Sequence, residues 1–422
     1  MKRTVGCLLS VCLVLVLLSD CRREPGQSGA EGSSAGPDSG QSGAPQTAVW
    51  DGSIAGSFAG GDGSEADPFR IETASQLAFL AREVNGGKDY AGKYVSMVCD
   101  VDLNHVEWTP IGNGTHSFSG IFHGNGHTVS NLKITDGARF AGELSSAETD
   151  QYAAGLFGTA RNAVIRNVKI NHADIVVQNL AAGQFVTVGI LVGDLRADTY
   201  AEISGVSVAD ASIRNDFPET TAGELCIGGI CGYVCGEDDA VIQNAQMQAD
   251  VTVSIEKGMG DANRVGGLIG TVHSNRTGNV ENCASYLSVE IYPELCYAYE
   301  GYFGAIGSIF SYDAFTVSDV FSKTTVNKID DVSDTFPAYS ACVIAGFANF
   351  WPDDSVGEMK NVFGYVEQLD PQTGERVTSM ELINRYPGGI YSEINCLGCE
   401  QLPENHGLDP TIWDLSTCPR LR

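Results

Sequence analysis

The sequence predicts an all-β fold, a parallel β-helix solenoid of about 38 residues per coil with a short N-terminal capping helix. Three observations predict it. A Gly-rich apolar block recurs along the chain, an Asn-type residue follows most blocks at a fixed distance, and segments of helical periodicity between the blocks are scarce. Several separate β-sandwich domains remain the alternative, although sandwiches need no such fixed offset.

The Gly-rich blocks are the first element of the repeat. They end at Gly158, Gly193, Gly232, Gly270, Gly307 and Asn349, and each contains bulky apolar residues beside its glycines. Glycine allows tight corners and close backbone approach. We therefore expect one block per coil, with three short strands and variable loops making up the rest of the repeat.

The Asn-type position is the second element. It follows the last residue of the block by 12 positions in every case but the first, where the offset is 9. Apolar or small residues stand two positions before it and one after it, which share a buried side only if the chain turns between them. Asn tolerates the left-handed backbone of a turn. The sequence thus predicts a structural corner, stacked from coil to coil, at Asn131, Asn167, Asn244, Asn282, Asp319 and Asn361, with Gly205 as a further member.

A single amphipathic helix precedes the repeats. Thr73 and Gln76 form a capping pair at its start, and the helix is predicted from Ala74 to about Val84, where the Asn85-Gly86-Gly87 run ends it. A solenoid has an open apolar end that must be covered. We expect residues 49–135 to form an N-terminal cap and first coil, 136–366 the repeats, and 367–422 a C-terminal cap.

The N-terminus has the features of an export signal. Two basic residues precede an apolar run that ends shortly before Cys21, so residues 1–21 are predicted to be a signal peptide in which Cys21 is the lipidation site. Plain secretion or an uncleaved membrane anchor are the alternatives. Residues 22–48, rich in Gly and Ser, are predicted to be a flexible tether. The expected location is the bacterial cell envelope, lipid-anchored and exposed.

The charge balance limits the partners. The chain has 53 acidic and 25 basic residues, a formal charge of −28. Such a surface repels nucleic acid and anionic lipid headgroups, so we expect no nucleic-acid partner and membrane contact only through the lipid anchor.

Several segments resemble bacterial surface proteins that carry GLUG repeats. The resemblance covers about residues 50–422 and rests on ordered motifs: Trp50-Asp51-Gly52, Asp67-Pro68-Phe69, Trp108-Thr109-Pro110, the Gly124-Asn125-Gly126 turn, the Gly-Leu-Ile-Gly270 block and the ending Ile412-Trp413. It implies a right-handed β-helix on a bacterial exterior, often lipid-anchored and adhesin-like. His123 stands where the family usually has Asp.

Catalytic motifs are scarce in this sequence. It contains no His-Glu-x-x-His, no phosphate loop and, outside the Gly- and Ser-rich segment 22–48, no Gly-x-Ser-x-Gly, so we expect neither a catalytic residue nor a metal centre. Asp100 and Asp102 are the best carboxylate pair, and a structural role is favoured for both. His123 with His127 is a weak candidate metal pair. Glu237-Asp238-Asp239 offers at most weak Ca²⁺ binding. Cys396, Cys399, His406 and Cys418 favour a local disulfide over zinc.

One aromatic segment is the predicted binding site. Between residues 286 and 303, an inferred loop, the sequence places Tyr286, Tyr292, Tyr297, Tyr299 and Tyr302. Such rings can stack on sugars or bury into a protein partner. The sequence therefore favours a binding or adhesion protein with an extracellular glycan or protein ligand. A carbohydrate-active β-helix enzyme (polysaccharide lyase or hydrolase) and a purely structural envelope component are the alternatives.

Overall fold

A computed structural model describes most of the chain after residue 48. The described residues are 49–141, 150–178, 184–216, 223–236, 241–255, 262–274, 277–292, 301–311, 314–328, 339–350, 356–369, 375–379, 381, 383–385, 390–394, 396–398, 408–415 and 419–421. The chain divides into two units, Met1–Ala48 and Val49–Arg422, and the described residues lie in the second.

The helix α1 spans Ala74–Asn85 and follows the predicted bounds closely. Thr73 is its N-cap, with the side-chain oxygen accepting from the N–H of Gln76 at 3.3 Å. Gly86 and Gly87 return their N–H groups to Arg82 and Val84 at the other end. Leu77, Leu80 and Val84 belong to the same buried cluster as the coil residues, so the helix is part of the solenoid core. This helix does not have the length and apolar character needed to cross a membrane, and it is the one helix among the described residues.

Strands make up nearly all the remaining regular structure. The first fifteen are β1 Phe69–Ile71, β2 Tyr94–Met97, β3 Val101–Asp102, β4 Ile121–His123, β5 Thr128–Ser130, β6 Lys133–Ile134, β7 Ala138–Ala141, β8 Asp150–Ala154, β9 Phe157–Arg161, β10 Val164–Arg166, β11 Lys169–Asn171, β12 Asp174–Gln178, β13 Phe185–Gly189, β14 Val192–Ala197 and β15 Tyr200–Asp216. The others are β16 Glu224–Gly228, β17 Cys231–Gly236, β18 Val241–Ile255, β19 Ala262–Ser274, β20 Thr277–Ile291, β21 Gly301–Ser311, β22 Ala314–Lys328, β23 Tyr339–Ala341, β24 Ala345–Phe350, β25 Val356–Leu369, β26 Arg376–Ser379, β27 Ile383–Arg385, β28 Ile390–Ile394, β29 Leu397–Gly398, β30 Trp413–Asp414 and β31 Arg420–Leu421.

The strands stack as a parallel β-solenoid. A 17-stranded sheet, here sheet A, and a 12-stranded sheet, sheet B, are both built almost entirely from parallel neighbours one coil apart. In sheet A the register runs from Val164 to Glu202, Gln243, Asn279, Thr316 and Glu358, and each step is 36 to 42 residues. The solenoid predicted from the repeat, with its period near 38 residues, is confirmed.

From β15 onward the sheet A part of each coil is one long strand, whereas in the two preceding coils it is divided into three short strands, β4 to β6 and β10 to β12. Sheet B receives one or two segments from each coil, so the predicted three short strands per coil do not describe the later coils. The two sheet B segments meet at the Gly-rich block. A Cβ added to Gly228 or Gly266 would overlap the carbonyl oxygen three residues later, so the bend between the segments admits only glycine at these positions. The blocks are therefore tight bends.

The run in sheet A turns at residues with left-handed backbone, at one corner in the later coils and at a second corner as well in the coils of β5, β11 and β15. The first corner column is Asn167, Gly205, Gln246, Asn282, Asp319 and Asn361, whose φ angles lie between 52° and 63°. Flanking register pairs align these residues from coil to coil. Asn361 donates to the carboxylate of Asp319 at 2.8 Å.

Two predicted corner residues lie elsewhere. Asn244 has no left-handed backbone; it pairs in register with Val280, and Gln246 takes the corner two residues later. The segment between Gly232 and the corner is two residues longer than the repeat offset of 12, which placed the prediction on the wrong residue. Asn131 belongs instead to a second corner column with His172 and Asp210, at φ angles of 59°, 55° and 50°. Asn131 therefore does not start the first column.

The C-terminal hairpin, β30 with β31, packs on the outside of sheet A. Trp413 and Leu408 are buried against outward-facing apolar side chains of sheet A, and Leu421 packs beside them. The covered side chains are those of Ala284, Tyr286, Phe321 and Phe363. We call residues 408–415 and 419–421 the strap. The Tyr286 hydroxyl donates to the carbonyl oxygen of Pro419, which ties the strap to β20.

Candidate functional site

A groove of about 850 Å³ lies on the outer face of sheet A beside the strap. We call it the strap groove. Its volume lies within the range of small-ligand sites, which is about 300–1,000 Å³. The described residues lining it are His123, Asn125, Gly126, Asn167, Lys169, Gly205, Val206, Ser207, Gln246, Gln248, Thr411, Ile412 and Leu421.

The floor of the groove comes from two columns of the solenoid. Lys169, Ser207 and Gln248 are register partners in β11, β15 and β18. Each is flanked by buried core residues, so alternation points its side chain away from the core. The neighbouring column is the first corner. Because both columns belong to stacked parallel strands, the groove has a rigid floor.

The strap forms one wall. Ile412 and Leu421 supply its apolar surface, and the N–H of Leu421 donates to the side-chain oxygen of Gln248 at 2.9 Å. Asp409 holds the turn before the hairpin by accepting from the N–H of Thr411 at 2.8 Å. The groove therefore joins an apolar wall to a polar floor.

His123 closes one end of the groove through a fixed ring. Its Nδ1 accepts from the backbone N–H of Asn125 at 3.1 Å, as an Asp would in the same turn. The other ring nitrogen, Nε2, lies 3.1 Å from the side-chain amide nitrogen of Asn167, so both ring nitrogens have a polar neighbour. The turn thus keeps its hydrogen bonds although His replaces Asp.

Several polar groups of the groove have no bonding partner among the described residues. The side-chain amide of Gln246, the hydroxyl of Ser207 and the ammonium of Lys169 make no hydrogen bond there, and Gln248 uses only its oxygen. Gln246 and Lys169 are exposed, and Ser207 and Gln248 are half-buried. These groups can bind a ligand without giving up an internal bond.

A buried ion pair supports the same coils. Glu202 is 5% exposed and accepts from Arg166 at 2.7 Å, from Ser204 and from the Tyr200 hydroxyl at 2.6 Å. Burial alone would raise the pKa of Glu202, but the bonds from Arg166, Ser204 and Tyr200 outweigh it and hold that pKa below its ordinary value. The positive charge of Arg166 is therefore paired with Glu202 within the fold.

Asp100 and Asp102 hold the backbone of the first coils and do not face one another as a catalytic pair. Asp100 accepts from the N–H of Thr128 at 2.9 Å and lies 3.2 Å from Nδ1 of His127. Asp102 accepts from the N–H of Asn104 and from the amide of Asn131 at 2.8 Å. The N–H of Thr128 is the main reason that the pKa of Asp100 is lowered. Neither residue lines the strap groove.

The predicted aromatic loop is only partly a loop. Tyr286 lies within β20, is 9% exposed and packs under the strap, so its predicted position on an exposed loop is wrong. Tyr302 lies within β21, with its ring centroid 5.1 Å from that of Phe347. Tyr292 is half-buried just after β20. Tyr297 and Tyr299 lie outside the described residues. None of the three described tyrosines lines the strap groove.

Other predictions fall outside the described residues as well. They are Cys21, the acidic run 237–239, and Cys399, His406 and Cys418. Among the residues that the structure does describe, no group of three or more His, Cys, Asp or Glu side chains has metal-binding geometry. Cys231 and Cys283 are buried thiols, and burial raises the pKa of Cys283 to about 12.

No family model matches the chain, so membership of the GLUG family stays a prediction. The chain is similar to a protein of Evansella cellulosilytica provisionally named a Gly-rich membrane protein, with 30% identity over 160 residues, 36% of this chain. It is also similar to halomucin of Haloquadratum walsbyi, with 26% identity over 163 residues, 33% of this chain. The matched parts cover only 15% and 2% of those relatives.

Two solved structures are similar at lower identity. One, from Bacteroides ovatus, is described provisionally as an immunoglobulin A1 protease; the match has 16% identity, a TM-score of 0.43, and covers 86% of this chain and 95% of that one. The other is named IgA1 Protease; it has 14% identity, a TM-score of 0.40, and covers 77% of this chain and 21% of that one. At these scores neither likeness bears on what this chain does.

Most of the groove lining was not predicted from the sequence. Lys169, Ser207, Gln246 and Gln248 were not among the predicted site residues. A repeat alignment that allowed a two-residue insertion would have found Gln246, because its neighbours in adjacent coils are Gly205 and Asn282. The hydrogen bond between Leu421 of the strap and Gln248 joins residues that are 173 positions apart in the sequence, so no local sequence pattern predicts it.

Proposed function

We propose that this chain is a lipid-tethered protein of the bacterial surface that binds an extracellular glycan in the strap groove. One observation carries the proposal: a rigid floor with amide, hydroxyl and ammonium groups that lack partners among the described residues, beside an apolar wall. Sugars offer hydroxyls that both donate and accept, and a side-chain amide matches them with both kinds of group. Apolar sugar faces pack against residues such as Ile412 and Leu421.

A protein ligand is favoured less by this geometry. Peptides are commonly recognised by pairing with a sheet edge, by a hydrophobic groove that takes a helix, or by an aromatic-lined groove. The strap groove lies on a sheet face, and its described lining contains no Phe, Tyr or Trp. The cell-envelope location rests on the predicted signal, Cys21 and the tether, and similarity to a named membrane protein is consistent with it.

A binding role without catalysis is also part of the proposal, with no cofactor required. The described lining of the groove offers no carboxylate, whereas glycoside hydrolysis commonly uses two. A lyase or hydrolase and a purely structural envelope role are the competing hypotheses, and the following experiment distinguishes them.

The full chain, purified in detergent, is applied to a glycan array and in parallel to immobilised extracellular-matrix proteins. We expect binding to glycans, weakened roughly tenfold or more by Gln246→Ala combined with Ser207→Ala, since two hydrogen bonds are lost. The matched control is Gln368→Ala, a half-buried glutamine of β25 outside the groove.

Three outcomes would contradict the proposal. Binding only to matrix proteins would favour a protein ligand. Binding to neither would favour a structural role. Shortening of a bound polysaccharide, followed by size-exclusion chromatography and abolished by substitutions in the groove, would favour an enzyme.

A further inference from the structure

The strap groove contains one uncommitted positive charge among its described residues. Lys169 is exposed on the groove floor, and no described carboxylate lies within 4.0 Å of its ammonium. The nearest other cation on the same run, Arg166, is bound to Glu202. His123 is held between Asn125 and Asn167. Lys169 is thus available for a negative group of a ligand.

The surroundings of Lys169 leave its charge directed at the groove. Asp100 is near enough for Lys169 to contribute to the lowering of its pKa, after the N–H of Thr128, but Asp100 lies outside the groove lining. On the groove side, Lys169 is followed along its column by the neutral Ser207 and Gln248. A ligand anion above this column would meet the ammonium first, then hydroxyl and amide groups that can donate to the same anion.

We infer that the strap groove selects glycans that carry a negatively charged sugar, with Lys169 binding its carboxylate or sulfate. This inference rests on the proposed function, since it names the class of sugar that the same groove takes.

The overall charge limits the number of anionic groups. The chain carries a formal charge of −28, which disfavours the approach of a highly charged polymer. At physiological salt the repulsion is screened over about 8 Å, so a single anion seated against Lys169 interacts mainly with its immediate neighbours. The ligand that fits both facts is an otherwise neutral oligosaccharide with one acidic sugar rather than a polyanion such as a uniformly sulfated chain.

The test compares Lys169→Gln with the parent chain, both full-length in detergent. Lys360→Gln is the matched control. Lys360 is also exposed on the outer face of sheet A and lies five coils from Arg166 in the same register column, about 24 Å at the spacing of parallel strands. Both substitutions remove one positive charge, so a general electrostatic effect would appear in both.

The probes are three versions of each oligosaccharide that the array identifies: one ending in a uronic acid, one ending in a sulfated sugar, and one in which the acid is reduced to the alcohol. We expect the parent to bind an acidic version at least tenfold more tightly than the alcohol. Lys169→Gln should remove that preference, so that it binds the acidic versions no more tightly than the alcohol, while Lys360→Gln should keep it. Which acidic version binds better identifies the anion.

Equal binding of acidic and neutral versions by the parent would overturn the inference and leave glycan binding itself standing. Equal weakening of all versions by Lys169→Gln would also overturn it, because the lysine would then contribute to binding regardless of the charge of the glycan. If no glycan binds, the proposed function fails first.

Discussion

The corner residue Gln246 shows that sequence regularity and site chemistry can conflict at one position. Its register neighbours are Gly205 and Asn282, residue types that accept left-handed backbone readily. Gln pays a conformational penalty there, yet its exposed amide lines the strap groove. Residues in disfavoured backbone regions often mark functional positions.

We predict that Gln246→Gly stabilises the fold while weakening glycan binding. The left-handed conformation costs a residue with a Cβ roughly 1 kcal/mol, although the greater freedom of glycine in the unfolded chain offsets part of the gain. Urea unfolding should show a higher midpoint, and glycan binding should be reduced, though less than in the double variant of Gln246→Ala with Ser207→Ala. A variant with both lower stability and undiminished binding would show that the corner geometry and the groove assignment are wrong.

Glu202 carries a second prediction, in stability against pH. Because its pKa is lower in the folded protein than its ordinary value, the ionised carboxylate stabilises the fold above the unfolded pKa of about 4.3. That contribution is lost as pH falls through the folded pKa. Glu202→Gln should therefore destabilise the protein at pH 7, by about 1–3 kcal/mol for lost bonds to a charged group.

The destabilisation should shrink as pH falls below about 4.3, where the carboxylate of the unfolded parent becomes protonated, and it should be lost as pH falls through the lower folded pKa. Glu358→Gln is the control, since Glu358 occupies the same register column but is exposed. Urea unfolding of the three proteins between pH 3 and pH 7 measures the difference. A pH-independent gap between Glu202→Gln and the parent would mean that the ionised form is not preferentially bound.

At the scale of elements, the Gly-rich bend leaves no room for an added side chain. Between the two segments of sheet B, a side chain at Gly266 would meet the backbone of Ile269 and of the next coil at Gly307. Backbone cannot move aside there without disturbing stacked strands on both sides. At this position the bend therefore requires glycine.

Gly266→Ala should accordingly destabilise the solenoid by about 1–3 kcal/mol, the usual cost of overpacking that shifts backbone. Gly56→Ala is the matched control, because an added Cβ at Gly56 meets nothing within 4 Å. Thermal unfolding followed by circular dichroism measures both. Equal melting temperatures for the two variants would contradict the steric argument.

The sequence predicted the elements that repeat and missed those that do not. Period, Gly-rich bends and the helix at Ala74–Asn85 follow from local patterns, and the structure has all three. Asn131 and Asn244 were misassigned because the coils of β5, β11 and β15 have a second corner and the coil of β18 has a longer segment before its corner, and a fixed count cannot separate these cases. Tyr286 was misplaced because an outward-facing side chain of a solenoid is normally exposed, whereas the strap buries this one.

At the scale of the whole molecule, the strap converts a flat sheet face into a groove. Trp413 packs in one buried cluster with the outward-facing Phe321 and Phe363. Further along the strap, the N–H of Leu421 donates a hydrogen bond to the side chain of Gln248. Without this wall the polar columns of sheet A would be an open surface, which holds a ligand less completely than a concave site. The site therefore depends on both ends of the repeat region, and neither end alone reveals it.

The last prediction concerns how this site reaches its ligand. Cys21 follows a single apolar run and precedes a Gly- and Ser-rich segment up to residue 48, which indicates a lipid anchor and a tether between the membrane and the binding domain. Two attached acyl signals give stable membrane association, and their loss leaves little to hold an acidic domain at an anionic surface. Cys21→Ser should therefore move the protein from the membrane fraction to the soluble fraction and abolish incorporation of a labelled fatty acid.

The strap groove lies in the second compact unit, so its affinity for glycan should not change in the released Cys21→Ser protein. Cys12→Ser, a cysteine inside the apolar run, is the matched control and should leave both anchoring and labelling intact. Membrane retention of Cys21→Ser, together with an absence of lipid label in the parent, would show that the chain is held by an uncleaved apolar segment. Equal glycan binding by anchored and released forms would then still establish that the tether supplies location and the strap groove supplies recognition.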